Sequence, residues 1–166
     1  MRKGEKIEVI IAPAYENDCP LPEAGLTDIV ETFLKEKAFS PIKGNIEVIG
    51  PAYKEINIET EIVPISISES AIVADKIERR LKKFLHPITG GQEGKGWNFG
   101  EDIYLSEVAA VIEDVEGVDY INTLKVGSDE ISERISFVKI EDNELPCVGK
   151  ITVLLSAVEA NAYSTS

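Results

Sequence analysis

The apolar positions of the chain switch between the alternation of a strand and the three-to-four spacing of a helix. Ile7 to Pro13 reads IEVIIAP, a short β-branched run closed by proline, which predicts a buried strand. A turn-rich stretch, Tyr15 to Pro22, carries two prolines. Leu26, Ile29, Val30, Phe33 and Leu34 then recur at helical spacing and predict an amphipathic helix over Pro22 to Ala38. Proline in its first turn costs little, because the missing N–H lacks a helical partner there anyway. Pro41 and Gly44 break the chain before the strand run Asn45-Ile46-Glu47-Val48-Ile49. After the Gly50-Pro51 turn, Ile56, Ile58, Thr60 and Ile62 alternate with Asn57, Glu59 and Glu61, the mark of a strand with one wet face. Ser68 or Ser70 is the expected N-cap of the next helix, whose apolar residues are Val73, Ile77, Leu81, Phe84 and Leu85. Its last turns hold the chain's basic cluster, Arg79, Arg80, Lys82 and Lys83. Cations there suit the negative end of the helix dipole, and a docking patch for an acidic partner is the other reading. Leu85-His86-Pro87 ends the helix.

The first half thus orders as β-α-β-β-α, the order of a small split βαβ sandwich. A glycine-rich connector runs from Thr89 to Gly100, and Tyr104, Leu105, Val108, Val111, Ile112 and Val115 form a third helix stopped by Gly117. Three strands are expected to follow, at Asp119 to Val126, Ile131 to Ile140 and Lys150 to Val158. The turns between them are Gly127-Ser128-Asp129 and Glu141-Asp142-Asn143. The predicted class is α+β, with small mixed or antiparallel sheets and helices packed on one face. The expected organisation is a βαββα module over 1–88, a connector over 89–102, an αβββ module over 103–160 and a flexible tail over 161–166.

At 166 residues the chain is long enough for one real core, and 43% hydrophobic with 28% charged residues excludes wholesale disorder. The formal net charge of −13 argues against a nucleic acid or an anionic membrane surface as partner, since both require a positive footprint. No apolar run approaches the roughly 20 residues that span a bilayer. Met1-Arg2-Lys3-Gly4-Glu5-Lys6 is charged but leads into only a short apolar strand. It is not read as a signal peptide, and the protein is expected to start in the cytoplasm. Cys19 and Cys147 form no CxxC pair and have no neighbouring His, which excludes a zinc site. Two reduced thiols, packed as small residues in a cytosolic protein, are the expected state, and a disulfide between them is geometrically possible but unsupported by the sequence.

The segment Thr89 to Gly100 invites a test for phosphate binding. Gly90 and Lys95 have the wrong separation for GxxxxGK, Gly96 follows the lysine, and a helix rather than a strand precedes the loop. Gly94, Gly96 and Gly100 read GxGxxxG rather than GxGxxG. The reading left is an ordered loop whose glycines permit tight turns and whose Trp97 and Phe99 tuck into a core or an interface. His86, the lone histidine, sits at a helix end where a capping or carbonyl-bonding role is expected. Ser68, Ser106 and Ser156 lack a G-x-S-x-G setting. The groups Asp18, Glu23 and Asp28, and Glu113, Asp114 and Glu116, read as solvated faces. Asp129-Glu130 lacks the order of a calcium loop. The expectation is therefore no enzyme, with no catalytic residue, metal or cofactor.

One stretch carries a family signal. Phe84-Leu85-His86-Pro87-Ile88-Thr89-Gly90-Gly91 is followed by Gly94-Lys95-Gly96-Trp97-Asn98-Phe99-Gly100 and Ile103-Tyr104-Leu105-Ser106-Glu107-Val108, then Val115-Glu116-Gly117-Val118-Asp119-Tyr120. This series resembles the C-terminal region of the baseplate J-like family, the baseplate assembly (wedge) proteins of contractile-tailed phages and contractile injection systems. Val48-Ile49-Gly50-Pro51-Ala52-Tyr53 upstream, and Leu145-Pro146 before Gly149-Lys150-Ile151 downstream, resemble further steps of the same region. The match covers about Val48 to Leu154, and the block from Trp97 to Glu107 is its specific part. The resemblance implies the C-terminal part of a longer structural protein, assembled in the cytoplasm into a phage tail or injection-system baseplate. It implies other wedge or hub proteins, or a second copy of the chain, as partners. Trp97, Phe99, Tyr104, Gly90, Gly91 and Gly100 are the expected interface or loop-packing residues. Two rival readings are a small ligand-binding or enzymatic α+β protein using the loop 89–100, and an oligomeric adaptor of another family.

Overall fold

A computed structural model describes residues 6–132 and 134–156. The expected tail at 161–166 and the expected strand end at Val158 lie outside them.

Strand alternation sets the centre of the fold. In β3 (Ala52–Pro64), Ile56, Ile58, Thr60 and Ile62 all point into the core, and Asn57, Glu59 and Glu61 point to the wet face. The buried Thr60 hydroxyl donates to the Thr123 carbonyl at 3.1 Å, so its burial leaves no orphaned polar group. β3 runs antiparallel to β5 (Val118–Gly127) and parallel to β8 (Glu144–Leu155). With β6 (Ile131–Ser132) outside β5, the sheet order is β6-β5-β3-β8. On the wet face, Glu59 sits opposite Lys125 and bonds it at 2.7 Å, and Asn122 donates to Glu61 at 2.9 Å. Opposite charges across a strand pair favour this register.

Two helices cover the buried face. α3 (Ser70–Leu85) contributes Val73, Ile77, Leu81, Phe84 and Leu85, the five residues its spacing predicts, and α4 (Leu105–Glu113) adds Val108 and Ile112. Neither serine caps α3. The chain enters through a 3-10 turn, Ile67–Glu69, which contains Ser68 and makes Ser70 the first helical residue. The two modules expected at 1–88 and 103–160 share this sheet and one core, because β3 comes from the first, β5 and β8 come from the second, and β3 lies between them. A period-two pattern identifies a strand but not its neighbour.

The N-terminal layer is more open. β1 (Ile7–Ile10) pairs in parallel with β2 (Ile46–Ile49), and α1 (Leu26–Lys37) and a short α2 (Ser40–Lys43) make the crossover. β1 was expected to be buried; Ile7 and Glu8 are exposed, because a two-stranded sheet with one helix covers only one face. α1 begins at Leu26 rather than Pro22, after Gly25 turns the chain at φ 93°. The Glu31 side chain accepts from the Val48 N–H at 3.0 Å and from Lys35 at 2.5 Å. These two donors hold its carboxyl below the usual range.

Two cross-links tie this layer to the main sheet. The Tyr53 hydroxyl donates to the Pro20 carbonyl at 2.6 Å, and burial pushes its phenol up to about 12. Cys19 and Cys147 are joined in a disulfide with Cα atoms 5.6 Å apart, which overturns the expectation of two reduced thiols. The pairing spans 128 residues and joins Cys147, opposite Glu55 in the β3–β8 ladder, to the residue before Pro20. The expected strand Ile131 to Ile140 divides: Ile131–Ser132 pairs with β5, and β7 (Phe137–Val138) pairs with β4 (Ile103–Tyr104). β8 starts at Glu144, ahead of the expected Lys150, because an edge strand tolerates Pro146 and its missing N–H.

Candidate functional site

The glycine loop closes the C-terminus of α3. A helix leaves its last carbonyls without partners, and Pro87 prevents another turn. The Phe84 carbonyl accepts the Gly91 N–H at 2.8 Å and the Trp97 indole N–H at 2.9 Å. The His86 carbonyl accepts the Gly90 N–H at 2.8 Å, and the Pro87 carbonyl accepts the Trp97 N–H at 2.9 Å. The Gly96 N–H reaches the Gly90 carbonyl at 2.9 Å. Such close return leaves no room for side chains. A Cβ on Gly90 would press on the carbonyl oxygens of Lys83, Phe84 and His86, and one on Gly96, at φ 88°, would lie 2.6 Å from the Ile88 carbonyl oxygen.

Trp97 is 8% exposed and meets Phe84 edge to face, with ring centroids 5.1 Å apart. The buried His86 ring uses Nδ1 toward the Ile88 and Thr89 N–H groups at 3.3 and 3.2 Å and lies 3.0 Å from the Thr89 hydroxyl. This is the local capping expected of it. Trp97, Gly90 and Gly91 therefore belong to packing. Gly100, at φ 74°, turns against Asp142, and its N–H reaches the Glu144 carbonyl at 3.2 Å.

The other two expected residues face outward. Phe99 is exposed, as is Tyr104 at 46%. In the β4–β7 ladder, Ile103 and Val138 point inward, while Tyr104 and Phe137 (42% exposed) share the outer face with ring centroids 5.7 Å apart. Sequence reading missed Phe137, which sits in a two-residue strand too short to carry a period. It also gave no role to Glu107. That carboxylate accepts the Tyr104 N–H at 3.3 Å and the Gln92 side-chain amide at 2.6 Å, fixing the start of α4 to the loop. Glu three residues past the helix-start residue was the available signal.

Between α3, α4 and the loop lies a hollow of about 610 Å³. On its polar wall Arg80 bonds Asp114, and Gln92 donates to Glu107. Neither His86 nor Trp97 lines it. Within the basic cluster, Arg79 pairs with Asp75 and Lys82 with Glu78, each at 2.8 Å. The Glu78 bond raises the Lys82 ammonium above its ordinary value. Among the described residues, no cluster of three or more His, Cys, Asp or Glu could hold a metal ion. Several large apolar side chains stay exposed, among them Ile29, Phe33 and Phe39 around α1 and Ile65, Ile67 and Ile72 at the entry to α3.

The chain matches no family model and no curated protein sequence. Its fold is similar to that of a chain in the cryo-electron-microscopy structure of the anti-feeding prophage (AFP) baseplate, 6-fold symmetrised, with a TM-score of 0.66 and 10% sequence identity. The likeness covers 92% of this chain and 30% of that one, so this chain spans less than a third of the length of its structural neighbour. At this identity the likeness is one of fold.

Proposed function

We propose that the chain is a structural component of the baseplate of a contractile injection system or contractile phage tail, working through protein–protein contacts. The observation that carries this reading is the likeness of fold over 92% of the chain to a baseplate chain. The resemblance of the Trp97 to Glu107 block to the baseplate J-like family points the same way. Within this reading the chain is the C-terminal part of a wedge assembly protein, and other wedge and hub proteins are its neighbours. The 30% coverage of the longer neighbour fits that part-to-whole relation. Assembly takes place in the cytoplasm, and firing shifts the wedge between two packed interface states.

The reading gives the chain no catalytic step. Its support is local: the motif that carries the resemblance is used to cap α3 and seat Trp97, and in the adjacent hollow Arg80 bonds Asp114 and Gln92 bonds Glu107. Among the described residues no helix is long and apolar enough to cross a membrane. The test is to tag the chain in its native host, purify contractile particles by gradient sedimentation and locate the tag by immunogold labelling. Label at the baseplate end of the particle is the expected result. A chain that never sediments with particles overturns the reading.

A further inference from the structure

The outer face of the β4–β7 ladder holds two aromatic rings that the fold does not need. Ile103 and Val138 already supply the inward side of this ladder. Tyr104 and Phe137 face outward as a tilted ring pair, both more than two-fifths exposed, and Phe99 stays exposed at the end of the loop that leads into β4. Such rings, exposed on rigid elements, are the residue types that anchor interfaces.

The chain segments that carry these rings are nearly one-signed. Residues 99–107 and 136–144 carry Glu101, Asp102, Glu107, Glu141, Asp142 and Glu144 against Lys139 alone. Lys139 itself lies 3.5 Å from Asp102, whose carboxylate also accepts the Ile140 N–H at 2.9 Å. Glu107 sits directly behind Tyr104 on its N–H. Gly100 packs on Asp142, which brings the end of the loop against the acidic turn.

We infer that Tyr104 and Phe137, with Phe99 and the carboxylates around them, form a docking surface for a protein partner that presents arginine or lysine side chains around an apolar centre. The carboxylates draw the cations in, and the ring faces accept them by cation–π contact while apolar groups cover the ring edges. A second copy of the chain does not fit, because each copy carries −13 and brings the same acidic face. This inference deepens the assembly reading by naming the chemistry of one partner surface, and it rests on that reading only for the premise that the partner is a protein.

The test uses the full chain, isotopically labelled, and two synthetic peptides: one alternating arginine with leucine, the other alternating glutamate with leucine. The arginine peptide is expected to shift amide resonances concentrated in residues 99–107 and 136–142, with affinity falling as salt rises. Tyr104→Ser with Phe137→Ser is expected to weaken it by about tenfold or more. Glu141→Lys with Asp142→Lys leaves the rings in place and is expected to weaken it as well, which guards against a misfolded aromatic variant. Shifts spread over the whole acidic surface, equal binding of the glutamate peptide, no binding of either peptide, or unchanged binding by both variants each overturn the inference. So does a dimer of the chain that dissociates in the Tyr104→Ser, Phe137→Ser variant. If particles still incorporate the chain while the peptide shifts fall elsewhere, this surface assignment fails and the baseplate reading stands.

Discussion

Replacing Trp97 separates a core anchor from an interface residue. Its ring is 8% exposed, packs on Phe84 at 5.1 Å and donates its indole N–H to the Phe84 carbonyl at 2.9 Å. A buried tryptophan removes roughly 150–250 Å² from water, which at about 25 cal/mol per Å² corresponds to about 4–6 kcal/mol. Measured truncations of such residues to alanine fall at about 3–5 kcal/mol, and we expect Trp97→Ala to lose that much. Trp97→Phe keeps a ring against Phe84 and loses the donor. The Phe84 carbonyl still has the Gly91 N–H at 2.8 Å, so no orphaned acceptor is left and the loss is about 1 kcal/mol. Against a total stability of about 5–15 kcal/mol, the two variants are well separated. Urea unfolding followed by far-ultraviolet circular dichroism reads both. Trp97 is the single tryptophan, so its emission follows unfolding of the loop in the wild-type chain. A Trp97→Ala chain that unfolds at the wild-type urea concentration while losing its protein partners would refute the reasoning and move the indole to an interface.

Three further perturbations probe the remaining ties. Gly90→Ala places a methyl group against three carbonyl oxygens and is expected to cost about 3 kcal/mol or more, whereas Gly44→Ala, with open space and φ −80°, gains about 0.4–1 kcal/mol in the same urea titration. Equal effects at the two positions would contradict the loop geometry. The Cys19–Cys147 disulfide closes 128 residues, and chain entropy bounds its contribution at about 5 kcal/mol. Cys19→Ser should lower the urea midpoint accordingly, and maleimide should label the native chain only after reduction. Labelling of two free thiols without reductant would contradict the pairing. The Tyr53 phenol, held neutral by burial, should ionise near pH 12 in an ultraviolet titration, in a step that Tyr53→Phe lacks. Because its folded value is raised, any stability it contributes is complete below about pH 10 and lost as pH rises toward 12. A titration in which Tyr53→Phe removes a step near pH 10 instead would place that phenol in water.

What could be read from the sequence was local. The helical spacing of Val73, Ile77, Leu81, Phe84 and Leu85 and the alternation of Ile56, Ile58, Thr60 and Ile62 identify the buried residues, because each pattern reports one element facing one core. Partner choice was not legible. Nothing near Ala52 announces that β3 lies beside Glu144, and without that docking Cys19 and Cys147 have no reason to meet. The division of Ile131 to Ile140 escaped for a related reason, since its two ends pair with different strands. At the candidate site, the loop's glycines and Trp97 stood out as residue types with few ordinary uses. Their division between packing (Trp97, Gly90) and outward display (Tyr104 with Phe137) depends on a two-residue ladder that leaves no periodic trace.

The proposed role is that of a structural part of a contractile baseplate. A density map of particles carrying the chain, determined by cryo-electron microscopy, tests it most directly. The predicted result is the β6-β5-β3-β8 sheet with α3 and α4 placed in the baseplate ring, the Trp97 loop unchanged and the Tyr104–Phe137 face covered by a neighbouring subunit. A complete baseplate with no density for this fold would contradict it.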